Sequence, residues 1–84
     1  MQTLFIDASR YPTPRELHAA LKLMLSLPDY YGMNADALHD CLSEHRDPVH
    51  LRLFSRGDGE TACALRAVCT VVEDLGGTVR EIRF

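Results

Sequence analysis

Apolar residues recur along this chain in two rhythms, one that suits strands and one that suits helices. Thr3–Asp7 (TLFID) is a short, nearly continuous apolar run, the pattern of a strand covered on both faces. SRYPTP breaks it. Thr13, Pro14 and Glu16 then form a helix start: a hydroxyl cap, a proline at the first helical position and an acid three residues past the cap. Leu17, Ala20, Leu21 and Met24 follow at helical spacing, and Pro28 forces that helix to end before it. Asn34 caps a second helix predicted from Ala35 to about His45, with Leu38, Cys41 and Leu42 as its apolar stripe. Val49–Phe54 (VHLRLF) alternates, with Val49, Leu51 and Leu53 on one face and His50 and Arg52 on the other, as in a strand less fully covered than the first. After the turn SRGDG, a long helix from about Glu60 to Leu75 carries Leu65, Val68, Cys69 and Val72 inward, and Gly76-Gly77 stops it. TVREIRF closes the chain as a third strand.

The predicted order is β-α-α-β-α-β. Helical crossovers between strands imply an α/β fold with a three-stranded parallel sheet, right-handed connections and three flanking helices. The first strand is the most apolar and is expected at the centre, with the other two at the edges. The third carries Arg80, Glu81 and Arg83, which suit an edge.

With 84 residues, 46% of them hydrophobic, the chain is expected to form one domain over residues 1–84 with one core. A formal net charge of −3 is the wrong balance for non-specific binding to nucleic acid, so no direct DNA or RNA contact is expected. No apolar run approaches the ~20 residues of a membrane span. MQTLFIDASRYP lacks the basic segment and apolar core of a signal peptide. Cys41, Cys63 and Cys69 are odd in number and lack zinc spacing, which fits reduced thiols and no metal or cofactor. These features fit a cytoplasmic protein, and it is expected to be a monomer when free.

The second helix changes the picture. At 100° per residue, Asp36, His39, Asp40, Ser43 and Glu44 share one face, opposite Leu38, Cys41, Leu42 and His45. Asp36 and Asp40 are four apart, so two like charges are neighbours. No Lys or Arg lies between Lys22 and Arg46, which leaves Asp29, Asp36, Asp40 and Glu44 without a cation nearby in sequence. A charge run of this kind is most often a solvated surface. Tyr30-Tyr31, in a loop just before it, puts at least one ring near the surface, and tyrosine beside acids is a common interface composition.

The whole stretch, LPDYYGMNADALHDCL (Leu27–Leu42), resembles the signature of the barstar family, small bacterial inhibitors of barnase-type ribonucleases. The family pattern is Leu-Pro-x-Tyr-Tyr-Gly-x-Asn-x-Asp-x-Leu-Trp-Asp-x-Leu. It is matched without a gap at Leu27, Pro28, Tyr30, Tyr31, Gly32, Asn34, Asp36, Leu38, Asp40 and Leu42. The flanks agree in length and element order rather than in identity. The resemblance implies a three-stranded parallel sheet with flanking helices. It also implies a mechanism in which the second helix and its loop plug a basic ribonuclease active site, with carboxylates where RNA phosphates would lie. Carried over by position, Asp40 is the phosphate mimic and Asp36 a second charge. Tyr30 packs on the enzyme, Gly32 and Asn34 present the loop, and His39 and Ser43 complete the interface. Glu44, Glu73 and Asp74 are peripheral acids. Two departures stand out. His39 replaces the family's Trp, and the stretch between the second strand and the last helix has no room for an extra helix.

The alternatives divide by class. A barstar-like module or antitoxin could bind another toxin or client protein, and His39 and the ambiguous register of Glu73 and Asp74 favour keeping that reading. An enzyme could use Cys41 as nucleophile with His39 or His45 as base. Yet Cys41 sits on the apolar stripe and His39 on the far side of the helix, so an inert thiol and no enzymatic activity are expected.

Overall fold

The computed structural model describes residues 2–44 and 48–82; the predicted positions His45 and Arg83 lie outside the described residues. The elements are β1 (Gln2–Asp7), a short 3-10 turn (Ala8–Arg10), α1 (Pro14–Met24), α2 (Ala35–Ser43), β2 (Val49–Ser55), α3 (Gly59–Asp74) and β3 (Thr78–Glu81). Order and type agree with the sequence pattern. Thr13 caps α1, its Oγ1 accepting from the Glu16 amide at 3.3 Å, and Pro14 stands at the first helical position.

The sheet is parallel throughout, with β1 paired to β2 and β2 to β3. Strand order is β1-β2-β3, so β2 is central, and the expectation of a central first strand is corrected. Connection handedness explains the arrangement. Both crossovers step in the same direction across the sheet, and right-handed connections then place every helix on one face. A central β1 would have reversed the second step and put α3 on the opposite face.

The consequence is a sheet covered on one side. Leu4 and Ile6 of β1 and Leu51 and Leu53 of β2 are buried against Leu17, Leu21, Leu38, Leu65 and Val68 of the helices. On the other side Thr3 is exposed, and so is Phe5 (58% of its surface). TLFID is therefore apolar on both faces but covered on one. An open outer face also explains how the central strand tolerates His50 and Arg52, which lie half-buried there.

Gly77 joins α3 to β3 at a near contact. A Cβ on it would sit 1.8 Å from the Val49 carbonyl oxygen, so no larger residue fits as the backbone stands.

Candidate protein-binding surface

The loop from Leu27 to Met33 is fixed at both ends. At its start, α1 closes with the Ser26 amide donating to the Leu23 carbonyl at 3.4 Å and the Leu27 amide to the Lys22 carbonyl at 2.9 Å. This is the paired closure in which the residue past the helix adopts left-handed geometry, and Ser26 does so with φ of 53°. At its end, Asn34 caps α2: Oδ1 accepts from the Ala37 amide at 2.8 Å, and Nδ2 donates to the Gly32 carbonyl at 3.1 Å. Gly32 lets the loop run close to the first turn of α2, since a Cβ there would meet the Ala37 Cβ at 3.2 Å.

The tyrosine pair splits between core and solvent. Tyr31 is buried, and its hydroxyl is hydrogen-bonded to Nδ1 of buried His18 at 2.6 Å. Burial pushes the Tyr31 hydroxyl up to about 12, with Cys41 adding to the shift, and burial pushes the His18 imidazole down from its ordinary value. Both groups are thus held neutral, and the bond ties the loop to α1. Tyr30 points the other way with 80% of its surface exposed. One ring anchors the loop while the other is presented.

On α2, Leu38 and Leu42 are buried, whereas Asp36, His39, Asp40, Ser43 and Glu44 are exposed. The Ser43 hydroxyl donates to the Asp40 carbonyl at 2.8 Å, so it serves its own helix. Among the described residues, no cation lies within ion-pair distance of Asp36, Asp40 or Glu44. Asp29 differs: Lys22 Nζ approaches its Oδ1 at 3.5 Å, which corrects the reading of Asp29 as unopposed.

Between α2 and α3 runs an open groove of about 480 Å³, with Asp36 and His39 on one wall and Arg66, Thr70 and Asp74 on the other. Asp74 therefore joins the α2 acids, while Glu73, although exposed, does not line the groove. Arg66 had no part in the reading of the sequence. It comes from another element, and its spacing within α3 gives no sign that it faces α2. Cys41 is half-buried beside the core, and burial, followed by the Glu44 and Asp40 carboxylates, pushes its thiol up, away from a reactive thiolate.

This geometry defines a class: a small α/β protein whose main chemical feature is an exposed acidic helix with a pinned tyrosine loop. The family model described as Barstar (barnase inhibitor) matches residues 1–81. The chain belongs to the barstar family. It is also 46% identical over 43 residues to the Bacillus subtilis (strain 168) protein named "Putative ribonuclease inhibitor YrdF". That match covers 51% of this chain and 47% of YrdF, so the aligned segment spans about half the length of the curated relative. No helix among the described residues is long and apolar enough to cross a membrane.

Proposed function

We propose that this protein inhibits a small basic ribonuclease of the barnase type by setting α2 and the Leu27–Met33 loop into its active site. The observation that carries the reading is the α2 face itself: three exposed carboxylates, Asp36, Asp40 and Glu44, on one rigid helix, with no cation within ion-pair reach among the described residues. Carboxylates left unpaired on the free protein are desolvated at low cost only against a cationic surface. A site that binds RNA phosphates is such a surface.

In this reading Asp40, central on the face, substitutes for a phosphate, and Asp36 does so one turn earlier. Tyr30 packs its ring on the enzyme, and Gly32 and Asn34 hold the loop in position. His39 lies between the two aspartates in sequence and lines the α2–α3 groove, and Asp74 contributes from the far wall. The protein acts as a stoichiometric blocker inside the cell that makes the nuclease, in an immunity or antitoxin role, and performs no chemistry of its own.

The test is inhibition of a purified barnase-type ribonuclease. The wild-type chain should block RNA cleavage at a one-to-one ratio, and Asp40→Ala should weaken inhibition by at least about tenfold, equivalent to roughly 1.4 kcal/mol. Full inhibition by Asp40→Ala would overturn the phosphate-mimic role. Failure of the wild-type chain to bind small basic ribonucleases, with capture of a different client through the same α2 face, would favour the antitoxin with another target.

A further inference from the structure

We infer that Arg66 is a specificity-determining residue of the inhibitor surface, pairing with a carboxylate that the target nuclease carries beside its phosphate-binding cations. The inference rests on the ribonuclease reading above and concerns the α3 wall of the same groove.

Arg66 shares the α2–α3 groove with Asp36 and His39 on α2 and with Thr70 and Asp74 on its own helix. A partner that covers Asp36 and His39 therefore closes over Arg66 as well. Helical spacing keeps Arg66, Thr70 and Asp74 on one exposed stripe of α3, while Leu65, Val68, Cys69 and Val72 hold the helix to the core. The Thr70 hydroxyl donates to the Arg66 carbonyl at 3.2 Å, so its proton is used within the helix. Arg66 and Asp74 are left as the charged groups of that wall.

Arg66 is exposed, and among the described residues no carboxylate lies within ion-pair distance of it, although Asp36 and Asp74 line the same groove. Two kinds of surface could cover it. Against a uniformly cationic one, the guanidinium loses its water and meets repulsion, with no partner to offset either. Against a surface with a carboxylate at that point, its planar fork forms a charge-assisted pair with two parallel hydrogen bonds. Arg66 thus turns a general preference for basic surfaces into a choice among them. The wall also sets a direction. Arg66 and Asp74 stand about two turns, or roughly 12 Å, apart along α3. The partner must present an acid and then a cation in that order, and docking in the reverse sense would bring like charges together.

The sign of a charge change at this position decides the matter. Titration calorimetry of a purified barnase-type ribonuclease with wild type, Arg66→Ala, Arg66→Glu and Asp40→Ala measures binding without relying on turnover. Arg66 is exposed, so its replacement leaves the core intact. Arg66→Ala should weaken binding by at least about fivefold and Arg66→Glu by at least about tenfold. A surface made only of cations would instead bind Arg66→Glu more tightly than wild type. Changing each Asp and Glu around the nuclease active site to Ala in turn should then locate the partner. Its loss should weaken binding to wild type and leave binding to Arg66→Ala unchanged. Equal or tighter binding by Arg66→Glu, or no nuclease carboxylate coupled to Arg66, would overturn the inference. If Asp40→Ala still lost affinity in that case, the ribonuclease reading would stand without it. No binding by the wild-type chain would overturn that reading and this inference together.

Discussion

His18 shows how one buried polar group can position a surface that it never reaches. Its Nδ1 shares a 2.6 Å hydrogen bond with the Tyr31 hydroxyl, and that bond fixes the loop from which Tyr30 projects. Burial lowers the His18 pKa below its ordinary 6.5 in the folded protein. The unfolded chain therefore binds this proton first as pH falls. Stability contributed by neutral His18 is fully present above pH 6.5 and is lost progressively as pH drops from there towards the lowered folded value. Urea unfolding at several pH values between 7.5 and 5 should show stability falling with acid more steeply for wild type than for His18→Gln. Equal slopes would refute the assignment. At this scale, the sequence showed which groups project from α2 but not all that they meet. The exposed acids follow from helical spacing. Lys22 beside Asp29 and Arg66 across from Asp36 are tertiary neighbours, and no local pattern announces them.

Among the elements, helix ends were the most legible features, because their chemistry is local. The predicted caps of α1 and α2 are in place, with Thr13 Oγ1 accepting from Glu16 and Asn34 Oδ1 from Ala37. α1 and α3 also end in the same way. In α3 the left-handed residue is Gly76, with φ of 88°, and the Gly77 amide donates to the Val72 carbonyl at 2.9 Å. In α1 the equivalent residue is Ser26, whose Cβ makes that geometry costly. Ser26→Gly should therefore stabilise the fold by about 1 kcal/mol and raise Tm by about 4–8 °C in a thermal melt. Ser26 is exposed, so little packing is lost. A lower Tm would show that the serine does more than close the helix. Strand order was the least legible feature. The expected central β1 treated the apolar character of TLFID as a measure of coverage. Coverage is instead set by which way the crossovers step, and that decision leaves Phe5 in solvent.

For the whole molecule, the formal charge of −3 matters less than its placement. Asp36, Asp40 and Glu44 are gathered on α2, while Arg52 and Arg80 are register partners on the outer face of the sheet, away from the helical layer. A basic nuclease approaching such a molecule meets an oriented field that favours the α2 side and speeds productive encounter. Net charge and placement can be separated with two double variants of equal charge change. Asp36→Asn with Asp40→Asn removes two charges from the α2 face. Glu16→Gln with Asp58→Asn removes two from α1 and from the residue before α3, neither of which lines the α2–α3 groove. Stopped-flow association with a barnase-type ribonuclease at low ionic strength should be slowed by roughly tenfold or more in the first variant and only slightly in the second. The difference between the two association rates should shrink as salt shortens the Debye length from about 10 Å at 0.1 M to about 3 Å at 1 M. If both variants were slowed equally, net charge alone would steer the encounter, and the α2 acids would act only after contact, through the dissociation rate. If neither were slowed while Asp40→Ala still lost affinity, steering would be absent and the phosphate-mimic contact would stand on its own.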